Sequence, residues 1–131
     1  ALRKLGGTHG WVVHGADGLD ELSLSGPRRV CAFTPEGLSS FEVTPGDAGL
    51  ASHPVEAIKG GTPAENHAAL VRLLDGEKNA YRDVAVLNAA AALIVAGLAD
   101  SLTDCARQAG EAIDTGKAKS VLTRLVAISQ R

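Results

Sequence analysis

The sequence contains no methionine and very few aromatic rings: one tryptophan, one tyrosine and two phenylalanines in 131 residues. Any core must therefore be built from Leu, Val, Ile and Ala, and its alanines favour closely approaching helices. Cysteine is also scarce. Cys31 and Cys105 stand far apart, a spacing that forms neither a secreted disulfide framework nor a metal-binding pair. They read as buried or half-buried thiols in a reducing, cytoplasmic setting. No basic run exists: 13 Lys and Arg are interspersed with 15 Asp and Glu, for a net charge of −2. Nucleic-acid binding leaves a clustered cationic footprint, and this chain lacks one. Nor does any apolar run reach the ~18 residues of a membrane span. The nearest, Val84–Leu98, is interrupted by Asn88. No stretch reads as a signal peptide. The opening Ala1–Leu5 followed by Gly6-Gly7 reads as the last turn of a helix with a glycine cap. So short a helix does not nucleate alone, and the expectation is that residues precede Ala1.

What is present describes a single soluble domain, with 45% hydrophobic and 21% charged residues. Trp11–His14 is an apolar run that predicts a buried strand, followed by a loop rich in glycine and acid. Leu22-Ser23-Leu24-Ser25 alternates with period two, the pattern of a half-buried strand. Val30–Thr34 predicts another, with Val30 and Ala32 on one face and Cys31 and Phe33 on the other. Thr34-Pro35-Glu36-Gly37 carries turn residues, and Leu38–Thr44 returns as a third. Residues 22–44 thus predict an antiparallel meander, preceded by a lone strand whose parallel neighbours would lie upstream. Pro54–Ile58 predicts one helical turn.

The second half reads as helical. Thr62-Pro63-Ala64-Glu65 supplies a capping box with proline in the first turn, and Gly76 stops that helix. A second helix is expected from about Arg82 to Ala99, with Val84, Leu87, Ala91, Ile94, Val95 and Leu98 on one face. Ser101 starts a third, striped with Leu102, Cys105, Ala109, Ala112 and Ile113. A last helix carries Ala118, Val121, Leu122, Leu125 and Val126.

The residues richest in chemistry are Asp17, Asp20 and Glu21, directly after the first strand. Three carboxylates in five positions repel one another unless they stay solvated or share a cation. Oxygen donors without thiols suit a hard ion such as Mg2+, which accepts one or two carboxylates alongside substrate phosphates. A solvated acidic turn explains the same residues. His14, at a strand end, is a candidate general acid or base, or simply a hydrogen-bonded positioning group. His9, His53 and His67 show no ligand spacing and read as surface residues. Gly60-Gly61-Thr62-Pro63 precedes a helix N-terminus, but it lacks a P-loop ending and the capping box already accounts for it. Asn66 and Asn88, each among apolar helix neighbours, read as structural hydrogen-bonding groups.

Four segments carry a family resemblance. Trp11–Ser23 resembles the "VVHGxDGLDE" segment of anthranilate phosphoribosyltransferases. Gly60-Gly61 with Pro63–Asn66, Arg82–Ala90 and Glu111–Gly116 follow in matching order. The resemblance implies transfer of a phosphoribosyl group from phosphoribosyl pyrophosphate to anthranilate, an early step of tryptophan biosynthesis. It also implies Mg2+ and a homodimer formed through a small helical domain. The implied fold is α/β: residues 1–131 would be the C-terminal part of a domain like that of nucleoside phosphorylases and related phosphoribosyltransferases. That part would hold one core strand, a three-strand antiparallel meander and C-terminal helices. In this reading Asp20 and Glu21 match the acidic pair that holds Mg2+ near the pyrophosphate. Gly15 matches a strand-end glycine that lets substrate approach. No catalytic role passes to His14.

The departures from the family are large. Its members are more than twice this length, and their glycine-rich "GTGGD" loop has no counterpart here. The upstream anthranilate-binding residues and the helical dimer domain are missing too. The chain alone is therefore expected to be inactive. Two other readings stay open on sequence: a related or non-catalytic pentosyltransferase homologue, and a stand-alone α/β interaction module in which Asp20 and Glu21 are merely solvated.

Overall fold

A computed structural model describes residues 1–14 and 17–130. Three strands, β1 (Gly10–His14), β2 (Arg28–Phe33) and β3 (Leu38–Val43), form an antiparallel sheet in the order β1-β2-β3. The expected α/β class and the three-strand antiparallel sheet are both present, but the membership of the sheet differs. The strand expected to stand alone is β1, and it pairs antiparallel with β2, from Gly10 opposite Phe33 to His14 opposite Arg29. The β2–β3 hairpin closes on the predicted Thr34–Gly37 turn, where the two residues exchange backbone hydrogen bonds of 2.9 and 3.3 Å.

Leu22–Ser25 is not a strand. Its alternation arises differently: Leu22, Ser23 and Leu24 are all buried, and the hydroxyls of buried Ser23 and exposed Ser25 both accept from an arginine. Its backbone is satisfied from outside the sheet. Leu22 pairs with the Asn88 amide, and the Leu24 carbonyl accepts from the His53 N–H at 3.0 Å.

Val30 and Ala32 face inward as the alternation requires, and Arg28 lies on the same inner face two residues earlier. Across that face Trp11 and Phe41 meet edge to face, ring centres 5.2 Å apart. Phe33 belongs to the opposite face, yet it is buried. Its ring lies against Gly7 and over Gly10, and at Gly10 a β-carbon would collide with it.

Four helices follow: α1 (Pro63–Leu74), α2 (Ala80–Val95), α3 (Leu102–Asp114) and α4 (Lys117–Ser129). The predicted capping box forms at α1, Glu65 N–H to Thr62 Oγ1 and Thr62 N–H to Glu65 Oε2. α2 starts two residues earlier than expected because the Asn79 side chain caps it, accepting from the Arg82 N–H at 2.9 Å. It stops at Val95, with Gly97 in the left-handed region at φ 68° just beyond. Ser101 caps α3. Val55–Ile58 is the single helical turn expected there, of the 3-10 type, and Leu2–Leu5, read from the sequence as the last turn of a helix, is a 3-10 turn with the expected glycine cap, Gly6 at φ 91°.

One continuous core joins the inner sheet face, Leu22 and Leu24, and the facing sides of α2 and α3. Leu73 enters it from α1, while α4 contributes no buried residue. The two thiols part company: Cys105 is buried in this core, and Cys31 is exposed on the outer sheet face.

Candidate acidic-loop site

The long connection between β1 and β2 carries the acidic residues. Gly15, the residue expected to admit substrate, lies outside the described residues together with Ala16. The three carboxylates do not converge as one cluster. Asp17 turns inward, and its Oδ2 accepts from Ser23 Oγ at 2.8 Å, from Ser25 Oγ at 2.9 Å and from the Arg28 guanidinium. Its Oδ1 accepts from the Leu19 N–H at 3.2 Å, an Asx turn that bends the chain around Gly18. Gly18 adopts φ 79°, a conformation side chains disfavour.

Burial pushes the Asp17 carboxyl up, but the hydrogen bonds from Ser23, Ser25 and Leu19 and the Arg28 charge outweigh it. The net effect holds Asp17 below the usual carboxylate range. It is therefore an anion already neutralised by a buried cation, since the Arg28 side chain is only 4% exposed.

Asp20 and Glu21 are both exposed. They sit between two fixed points. On one side is Asp17; on the other is Leu22, whose N–H donates to Asn88 Oδ1 at 3.0 Å and whose carbonyl accepts from Asn88 Nδ2 at 2.7 Å. Asn88 Nδ2 also reaches the Val84 carbonyl one helical turn back, at 2.9 Å. Beside this clamp a cleft of about 320 Å³ opens between β1 and α2, lined by Trp11, Val13, Leu22, Asn88 and Ala91.

Among the described residues no three His, Cys, Asp or Glu side chains gather closely enough to hold a metal between them. The constellation expected from spacing is thus reduced to a pair. Two adjacent solvent-facing carboxylates with no thiol nearby still fit Mg2+, an ion that keeps waters and takes the rest of its shell from substrate oxygens.

Other sequence candidates occupy quieter places. His14 is exposed at the end of β1. His9 and His67 are surface residues, and half-buried His53 stands 3.6 Å from Asp83. Gly60 and Gly61 pack under the Asn66 and Glu65 side chains, with Gly61 N–H donating to Asn66 Oδ1 at 2.8 Å. That segment is closed on itself rather than open to an anion. Arg28 was not singled out from the sequence. The available signal was an arginine at an inward position of β2, preceded by two serines. Among the described residues no helix is long and apolar enough to cross a membrane.

Residues 1–119 match the family model described as "Glycosyl transferase family, a/b domain". Over 131 residues the chain is 53% identical to the anthranilate phosphoribosyltransferase of Methylocella silvestris, covering 100% of this chain and 38% of that relative. Its fold superposes on the crystal structure of anthranilate phosphoribosyltransferase from Thermus thermophilus with a TM-score of 0.88 and 41% identity, over 100% of this chain and 38% of that one. It also superposes on the Saccharomyces cerevisiae enzyme in complex with PRPP and Mg, with a TM-score of 0.80 and 27% identity, over 86% of this chain and 33% of that one. The chain thus spans well under half the length of the relatives it matches.

Proposed function

The chain belongs to the glycosyl transferase family through its α/β domain, and from that premise we propose that it serves phosphoribosyl transfer to anthranilate. In this reading residues 1–131 are the C-terminal part of the larger α/β domain of an anthranilate phosphoribosyltransferase. The reaction joins the anthranilate amine to the ribose carbon of phosphoribosyl pyrophosphate, releases pyrophosphate and serves tryptophan biosynthesis. The observation that carries the proposal is the Gly18–Glu21 loop, held out from the end of β1, in a chain 53% identical to a relative of that name.

Asp20 and Glu21 would hold Mg2+ through carboxylate oxygens. The ion, when bound, offsets negative charge as it builds on the departing pyrophosphate. The chain's own contribution is placement. Asp17, already neutralised by Arg28, leaves the exposed pair as the only free carboxylates of the loop among its described residues. The strand-end Gly15 would let substrate approach the backbone closely. A cytoplasmic homodimer completes the reading. The 131 residues alone would not turn over, because the glycine-rich phosphate loop of the family has no counterpart in them.

The test is the double variant Asp20→Asn/Glu21→Gln in the complete gene product, with consumption of anthranilate followed at saturating phosphoribosyl pyrophosphate and Mg2+. The expected fall in kcat/KM is at least about a hundredfold. Unchanged consumption would remove both residues from the metal site.

A further inference from the structure

We propose that Arg28, acting through Asp17, Ser23 and Ser25, is a positioning residue that fixes the spatial relation of Asp20 and Glu21. This rests on the reading of that pair as Mg2+ ligands. Arg28 stands on the inner face of β2, in line with Val30 and Ala32, where an aliphatic side chain would ordinarily pack. Burying a guanidinium there is costly unless it is paired. Its pairing is directed wholly at the acidic connection. Nη2 donates to Asp17, to Ser23 Oγ and, at 2.8 Å, to Ser25 Oγ, while Nη1 donates to the Pro27 carbonyl at 3.0 Å.

The consequence is mechanical. Asp17 is tied to the sheet through Arg28, and Leu22 is tied to α2 through Asn88. Four residues separate these anchors, and Asp20 and Glu21 are two of them. The Leu19 N–H donating to Asp17 Oδ1 fixes the turn between. A metal that takes two carboxylates binds more tightly when the backbone carrying them is already set, because less has to be ordered on binding. The Arg28 network also withdraws Asp17 from competition, so the third carboxylate of the run neither repels the pair nor captures the ion.

Mn2+ replaces Mg2+ in the test because its unbound form is counted directly by electron paramagnetic resonance. The complete gene product is titrated with Mn2+ in the presence of pyrophosphate, alongside Arg28→Lys, Ser25→Ala, Asp20→Asn/Glu21→Gln and the distant ion-pair variant Asp114→Asn. Lysine keeps the charge but loses Nη1, which holds the Pro27 carbonyl, and with it the planar group that aims Nη2 at Asp17, Ser23 and Ser25. Arg28→Lys is expected to weaken Mn2+ about tenfold, at the lower end of what groups supporting a metal's ligands contribute. Ser25→Ala weakens it less, and Asp114→Asn leaves it unchanged despite its own loss of stability. In turnover, Arg28→Lys raises the KM for Mg2+ with kcat preserved at saturating metal. Wild-type Mn2+ affinity in Arg28→Lys, with the double carboxylate variant impaired, overturns the positioning role and leaves the metal assignment standing. Wild-type affinity in the double variant overturns the metal assignment itself. Should Arg28→Lys fail to fold, Ser25→Ala decides by the same reading, and unaltered affinity there overturns the role.

Discussion

Asp17 shows at the scale of one residue how a carboxylate can lie beside a proposed site and yet be engaged elsewhere. Read along the chain it is one of three acids in five positions, and nothing in that spacing says which of them face water. The deciding partner, Arg28, lies eleven residues away on β2, so its capture of Asp17 depends on tertiary structure. Asp20 and Glu21, by contrast, were singled out by the family resemblance, and both are exposed. The pairing has a pH signature. Asp17 is held below the usual carboxylate range in the folded chain, so the folded state sheds this proton more readily than the unfolded one. The stability it contributes is complete above the unfolded pKa of ~3.9 and disappears as pH falls through the folded value. Urea unfolding of wild type and Asp17→Asn should show a gap at pH 7 that narrows below about pH 4. A gap constant down to pH 3 would contradict the ion pair.

At the scale of elements, the helices were easier to read than the sheet. Thr62 and Ser101 cap their helices through contacts three residues away, and local bonds are what local sequence encodes; Asn79 does the same for α2 but was missed. Strand pairing is not local. Leu22–Ser25 has the alternation of a strand, yet its serines serve Arg28 and its backbone serves Asn88 and His53. Period two therefore recorded a polar network rather than a water-facing edge. β1 in turn found its neighbour in β2, because Gly10 leaves room for Phe33 to lie across it. That contact can be tested directly. A β-carbon at Gly10 would overlap the Phe33 ring, so Gly10→Ala is expected to cost about 1–3 kcal/mol, the range for overpacking. Chemical denaturation measures it, and the double variant Gly10→Ala/Phe33→Leu should recover part of the loss. Unchanged stability in Gly10→Ala would mean the ring is free to move aside.

At the scale of the whole molecule, the stripe on the last helix was read correctly as apolar, but it is not covered. Val121, Leu125, Val126 and Ile128 on α4 are exposed, as are Leu38 on β3 and Leu98 after α2. Sequence periodicity reports that a face is apolar and does not say what lies against it. The chain spans 38% of the length of its Methylocella silvestris relative, and the proposed function assigns it the metal loop of an enzyme whose phosphate loop lies elsewhere. That division of labour is the central claim. Its most direct test is the loss of anthranilate fluorescence with phosphoribosyl pyrophosphate and Mg2+, measured with the 131 residues alone and with the complete gene product. The account predicts loss with the complete product only; no loss with either would contradict it and leave the chain a non-catalytic homologue.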